Sequence, residues 1–486
     1  MSAILAVDIG TTSAKALVIT SSGTVSVSER ITYPTHRPRT GYAEQDPEQL
    51  SACITSLMND VIRKGTEKID AVAFSCAMHG VMAVDERGHA LTPLIIWSDL
   101  RAREAAAQIS KEHRDMHALT GTPIHPMSPL TKLVWMKKNQ PELFKRAHKF
   151  IGIKEYLWYR WFGTFVVDHS IASATGLMDS QKLTWSSTAL AVAGIREEQL
   201  SKLVGVHTPF TSEQVNATYG LAPRTPWIIG SSDGCLATLG SDVNTNANAL
   251  SVTVGTSGAV RKMNTQAGID PAGKTFCYCL DKARWVHGGA TNNGAVLIDW
   301  YTQKFLREPI DLNTFCARAT KVQPGSAGLL MIPYLQGERS PVYDADASGV
   351  FLGVRHHHGT EHFMRAILEG IGFALMDIAD ALMEGNTNME VRASGGLSLS
   401  AEAMQVLSDQ FGMTIHVQHR EDASAIGAAI IACEALKIPF QFADEPPRIY
   451  QPNMNNHQLY RKLFSIYKGL YSHLADDLHQ LNALQF

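Results

Sequence analysis

Two strand-length apolar runs, residues 3–7 and 14–19, flank a polar Gly10-Thr11-Thr12-Ser13 turn, a pattern that predicts a β-hairpin. Half a chain later the pattern returns. Residues 250–261 align with residues 5–16 without a gap, repeating the apolar lead, a Gly255-Thr256-Ser257 turn and the apolar exit. A polar turn and another strand-like run follow each copy, residues 25–31 in the first and 275–286 in the second. The repeat predicts two related halves, residues 1–244 and 245–486, the boundary resting on the repeat alone.

Between the hairpins, Asp46-Pro47-Glu48 opens a helix, with Asp as N-cap and Pro in the first turn. Residues 69–76 read as a buried strand ending at Met78-His79-Gly80. Residues 81–84 and 94–97 read as a strand pair around the 85–88 turn, the second ending near Arg101. Residues 121–129 hold three prolines and form a stiff loop around His125, suited to a pocket wall. Helices are predicted at 130–138 and 151–161, with Lys154 near the start of the latter. In the second half a strand at 328–334 leads to Arg339, and a strand at 391–393 leads to Gly395-Gly396. Helices are predicted at 361–382, 401–411, 423–435 and 457–484.

Composition narrows the classes. A chain of 486 residues allows two to four domains, and 43 basic against 46 acidic residues argues against nucleic acid as the main partner. Seven scattered cysteines read as reduced, and no apolar run approaches membrane-spanning length, so a soluble cytoplasmic protein is expected. A homodimer is the first expectation for its assembly.

Three motif matches fail on context. Residues 268–275 fit the Walker A pattern, but a polar stretch precedes them and an alternating, strand-like run follows where a helix is needed. Gly230-Ser231-Ser232-Asp233-Gly234 fits the nucleophile elbow of a serine hydrolase acting at Ser232, yet no downstream histidine stands out as a base. His358 and His362 match an inverted zinc motif, but Gly359-Thr360 looks like a helix start that leaves His358 outside.

A different constellation survives. Moving phosphate from ATP needs phosphate donors, a cation, an in-line hydroxyl and a carboxylate to take its proton. The two hairpins supply donors: backbone N–H groups, the hydroxyls of Thr11, Thr12 and Ser13, and the Lys15 ammonium. Asp8 at the first tip can hold magnesium through water. Asp233, at a strand end, is placed to be the base, with a turn residue or helix N-cap as the plainer alternative. Gly395-Gly396 can pass close to an adenine ring.

With these residues in view, the chain resembles the FGGY family of carbohydrate kinases. The signatures are Met127-Ser128-Pro129-Leu130-Thr131-Lys132-Leu133-Val134-Trp135-Met136, and a second running from Gly349-Val350-Phe351 to Leu368-Glu369. The resemblance implies an α/β fold of two duplicated ribonuclease-H-like domains, as in actin and hexokinase, around a central cleft. It implies ATP and Mg2+ as cofactors, with Asp8 and Asp233 on the metal side and Asp233 as catalytic base. The nucleotide side would comprise Thr11, Thr12, Ser13, Lys15, Gly255, Thr256, Asn293, Gly395, Gly396 and Ser398.

Segments around Met78-His79, residues 121–127, 151–156 and 288–294 are most similar to the family members that phosphorylate D-gluconate. Kinases of xylulose or other pentuloses are the alternative, since they share the Met-His pair and a Gly-Glu-Arg-(Thr/Ser)-Pro turn matching residues 337–341 but usually lack the Pro-Ile-His-Pro loop, and a non-catalytic sugar sensor is the reading from another class. A sugar acid needs a cation or strong donors in its pocket. Met78, His79, Gly80, Arg101, His125, Lys154, Asp233 and Arg339 form the candidate substrate set, and sequence does not choose among its cations. One departure stands out: Leu397-Ser398-Leu399 follows Gly396 where the family has a more polar stretch, implying a more apolar adenine pocket.

Overall fold

The computed structural model describes residues 2–243, 248–268, 270–383, 385–386, 388–418, 422–443 and 446–484; the predicted boundary at 244/245 lies outside them. Ala3–Ile9 (β1), Ser13–Thr20 (β2) and Val25–Thr32 (β3) form an antiparallel meander. Pro47–Lys64 (α1) then carries the chain to Ile69–Cys76 (β4), parallel to β1. The Asp46 carboxylate accepts from the N–H groups of Glu48 and Gln49, and Pro47 sits in the first turn, which is why α1 starts there. Pro129–Asn139 (α2) and Ile153–Phe162 (α3) follow. Pro209–Phe210 (β5) and Trp227–Ser232 (β6) complete a sheet of order β5-β6-β4-β1-β2-β3, and Asp233–Gly240 (α4) leaves its end. β1 and β4 are almost wholly buried, which accounts for their unbroken apolar runs.

The second half repeats this plan. Its strands are Ala249–Val254 (β7), Gly258–Asn264 (β8), Phe276–Asp281 (β9), Arg284–Thr291 (β10), Glu390–Ser394 (β11), Ile415–Val417 (β12) and Arg448–Tyr450 (β13). They order as β9-β10-β8-β7-β11-β12-β13, so β10-β8-β7-β11-β12-β13 reproduces β3-β2-β1-β4-β6-β5 in order and in strand direction. Thr360–Met383 (α5), Ala401–Phe411 (α6), Ala423–Leu436 (α7) and Met454–Ala483 (α8) are its main helices.

Two expectations need correction. The run at 275–286 is two strands, and β10, not the first part of that run, is the counterpart of β3; β9 is an added edge strand. Residues 81–84 and 94–97 do not form a ladder with each other. Met82–Val84 pairs with Lys149–Ile151 and Leu94–Ile95 with Glu44–Gln45, and the two runs are joined by one bridge, Val81 to Ile95. The two hairpins also differ slightly. Ile9 faces Ala14, but Val254 faces Gly258, one residue tighter, at a position where a Cβ would come within 2.9 Å of the Thr291 side chain.

Each half has its own apolar core, and a third core joins them. There α7, from the second half, packs with α4 against the first sheet through Ile4, Ala6, Ala71, Ala73, Ala428 and Ile431. Its run of small residues lets the backbones approach: a Cβ on Gly427 would lie 2.2 Å from the Leu236 carbonyl oxygen. Among the described residues no helix is long and apolar enough to cross a membrane.

Candidate active site

β1, β4 and β6 are neighbouring parallel strands, so their C-terminal ends bring Asp8, Met78-His79-Gly80 and Asp233 to one edge of the sheet. Asp233 accepts from the Gly234 N–H at 2.7 Å. Burial, then the negative charge of Asp8, pushes its carboxyl up to about 6, against the opposing pull of Arg261, Gly234 N–H and Lys154. Burial also raises the Asp8 carboxyl. One Asp8 oxygen accepts from Ser424 Oγ at 2.7 Å, while the other, Oδ1, is buried without a partner. Two mutually repelling carboxylates, one with an orphaned oxygen, fit a hard divalent cation. Asp8 and Asp233 are the residues that would hold it.

Thr11 and Thr12 from the first hairpin and Thr256 and Ser257 from the second line one cavity of about 830 Å3, with Trp97, His125 and Arg339. Thr11 Oγ1 accepts from Trp97 Nε1 at 2.8 Å, and Thr12 and Thr256 are exposed. Gly255 closes the second tip, its N–H donating to Ser257 O at 2.9 Å. Ser13 and Lys15 are turned to protein partners instead, Ser13 accepting from Arg30 and Lys15 pairing with Asp422. Gly395 ends β11 beside the end of β7, at positive φ, where a Cβ would sit 2.6 Å from Val254 O. Only glycine lets those two strand ends meet so closely. Gly396 borders open space, whereas Ser398 folds back to donate to Gly395 O at 2.7 Å.

A smaller cavity of about 260 Å3 adjoins it, lined by Met78, His79, Trp97, Met127, Asp233, Ala259, Arg261, Tyr278, Arg339 and Tyr343 among others. His79 is buried at φ 67°, its Nδ1 2.7 Å from Ala174 O. Burial and the charges of Lys132 and Arg339 depress it to about 3, so the ring is neutral, Nδ1 donates and Nε2 is left to accept. His125 has the opposite arrangement. Its Nδ1 accepts from Met127 N–H at 3.2 Å, and Nε2 is a buried donor without a partner. Arg339 donates to Asn292 Oδ1 at 2.8 Å and Thr291 O at 3.2 Å, with its guanidinium 4.7 Å from the Trp97 ring. Gly80 borders a narrower side cavity shared with His79.

Like Ser13, Lys15 and Ser398, three further predicted contact residues have their polar atoms engaged internally. Arg101 pairs with Asp99 at 2.7 Å and Glu44 at 2.5 Å, its side chain 3 % exposed. Lys154 donates to Asp168 at 2.6 Å and to the carbonyls of Ile229 and Ser231, bracing the strand that ends at Asp233. Asn293 is buried, donating to Gly337 O and Glu338 and accepting from Gln336 N–H.

Two basic residues were missed. Lys132, inside the first signature, donates to the carbonyls of His79, Ile95 and Ile96 and fixes the His79 turn; burial lowers it to about 7. Its position among apolar residues of a helix was the available signal. Arg261, two residues past Ala259 on the same strand, reaches the smaller cavity beside Asp233. The plain alternatives also resolve: Ser232 is buried against Ser170 Oγ at 2.8 Å, with no histidine bonded to it among the described residues. The Walker match spans the β8–β9 connection, and His358 precedes α5.

Family models match the chain in two blocks. Residues 3–240 fit the N-terminal domain of the FGGY family of carbohydrate kinases, and residues 250–436 its C-terminal domain. A gluconokinase from Bacillus subtilis is 38 % identical over 448 residues, covering 89 % of this chain and 87 % of its own. The crystal structure of gluconate kinase from Lactobacillus acidophilus superposes with a TM-score of 0.94 at 31 % identity, over 99 % of both chains. A ligand-bound xylulose kinase from the same organism gives 0.93 at 31 % identity, over 99 % of this chain and 100 % of its own. Paired hairpins, the duplicated sheet and both family models lead to one conclusion: the chain belongs to the FGGY family of carbohydrate kinases.

Proposed function

We propose that the enzyme transfers the γ-phosphoryl group of ATP to the terminal hydroxyl of D-gluconate, giving 6-phospho-D-gluconate and ADP. The hairpins Gly10–Thr12 and Gly255–Ser257 would cradle the phosphates, and Gly395-Gly396 would border the adenosine. Asp233 takes the proton of the attacking hydroxyl as oxygen bonds to phosphorus and the bond to ADP breaks. A magnesium ion on Asp8 and Asp233 would neutralise phosphate charge. His79 Nε2 and His125 Nε2–H offer one acceptor and one donor to sugar hydroxyls.

The observation that carries the choice of substrate is charge. Arg261 and Arg339 both line the cavity that holds Asp233, and among the described residues neither makes an ion pair. A sugar acid brings a carboxylate to these two guanidinium groups in addition to the nearby Asp233 and Glu338; a neutral pentulose does not. The similarity to gluconokinases supports the same choice. A coupled ADP-release assay over gluconate, xylulose, ribulose, glycerol and fuculose tests it. The highest kcat/KM is expected with gluconate, and a higher value with xylulose would replace gluconate by a pentulose.

A further inference from the structure

Arg261 is an unusual placement for a cation. It belongs to β8 in the second half, yet its guanidinium lies against the Asp233-Gly234 turn of the first. A Cβ on Gly234 would come within 3.4 Å of Arg261 Nε and 3.5 Å of its Nη2, and a Cβ on Gly288 within 3.0 Å of its Cγ. Two glycines therefore clear the path of this one side chain. Its Nε is buried and has no hydrogen-bond partner. The nearby charges and ionisable groups acting on it are Asp233, Cys235 and Tyr278, and the Tyr278 hydroxyl, in the same cavity, is also buried without a partner. A buried guanidinium edge and a buried hydroxyl left unpaired in one cavity mark a site whose missing partner is an anion.

The strand also sets a distance. Ser257 stands at the phosphate hairpin, and Ala259 and Arg261 follow at alternate positions, all three lining cavity walls. Each two-residue step advances roughly 7 Å. Arg261 is thus one step, roughly 7 Å, below Ala259, a span comparable to an open six-carbon chain, and two steps below the hairpin. The small side chain at Ala259 leaves that span free. Arg339 differs, since it already donates to Asn292 and Thr291 and stacks on Trp97 nearer the hairpins.

Building on the gluconate reading, we propose that Arg261, with the Tyr278 hydroxyl, binds the substrate's carboxylate and is the residue that selects an aldonic acid over a neutral sugar of the same length. The phosphate hairpins face the other end of the chain. The recognition is assembled from both halves, because Arg261 lies in its pocket only while β8 rests on the Asp233-Gly234 turn.

The test compares wild type, Arg261→Gln and Arg261→Lys on D-gluconate and on D-glucitol, which replaces the carboxylate by a hydroxymethyl group. Gluconate affinity is read separately from intrinsic tryptophan fluorescence, to which Trp97 in the cavity wall contributes, with MgADP affinity as the control for folding. In Arg261→Gln the ratio of kcat/KM for gluconate to that for glucitol should fall by about 30-fold or more, mainly through KM. The dissociation constant of gluconate should rise by a similar factor, that of MgADP should not, and Arg261→Lys should recover part of the loss. An unchanged gluconate dissociation constant, or equal losses on both substrates, overturns the assignment. If wild type itself prefers xylulose, the gluconate reading fails; if wild type prefers gluconate and Arg261→Gln keeps that preference, only the role of Arg261 fails.

Discussion

Replacing Asp233 by Asn removes a proton acceptor while keeping its shape, and the structure sets two opposite consequences. Turnover should fall by about 10²–10⁴, the usual contribution of a positioned general base. Stability should rise. Burial and Asp8 lift the Asp233 carboxyl from 3.8 to about 6, which corresponds to about 3 kcal/mol disfavouring its charged form in the folded protein. Below about pH 4 the group is protonated in folded and unfolded chains alike, and the substitution changes little. Between pH 4 and 6 the unfolded chain ionises first, so wild-type stability declines as pH rises. Above pH 6 the full penalty stands, and Asn relieves the part that coupling to Arg261 and Lys154 does not offset. Thermal unfolding at pH 8 should therefore rise by about 1 °C per kcal/mol recovered, with no such gain at pH 4. The paired assay is steady-state ADP release and calorimetry on the same preparation. Turnover within tenfold of wild type, or a lower melting temperature at pH 8, refutes the role and environment given to Asp233.

Other outcomes follow from the same contacts. Activity as kcat/KM should drop on the acid side with an apparent pKa of about 6, and Asp8→Asn, by removing a neighbouring negative charge, should move the Asp233 titration to lower pH, readable in the residual activity. Lys154→Met strips the buried partner of Asp168 and the brace on Ile229 and Ser231, and should destabilise by about 3–5 kcal/mol in denaturant titration. Gly395→Ala places a Cβ 2.6 Å from Val254 O and should raise the KM for ATP by about tenfold or more while the KM for sugar moves little. Arg101→Gln breaks contacts with Asp99 and Glu44 and should lower stability without a selective effect on gluconate KM.

Much of this was written in local pattern. The hairpins, the Asp46 cap of α1, α6 to the residue, and the glycine pair after β11 all follow from period, capping and turn chemistry that act within a few positions. What eluded sequence was partnership at long range. Arg101, Lys154 and Arg339 look alike as lone cations, and only the fold shows that Asp99, Glu44 and Asp168 occupy the first two. Arg261 reads as the exit of a hairpin until Gly234 and Gly288 are seen to clear its path. The third core was invisible too, because α7 is apolar on nearly every face and nothing in its sequence says that it packs on the other half's sheet.

The position of the transferred phosphate is the most direct test of the proposed reaction. Incubating the enzyme with MgATP and D-gluconate and following the products by phosphorus NMR should show one phosphate ester on the terminal CH2 carbon, formed one-for-one with ADP and lost in Asp233→Asn. ADP accompanied by inorganic phosphate, or an ester at any other hydroxyl, would contradict it.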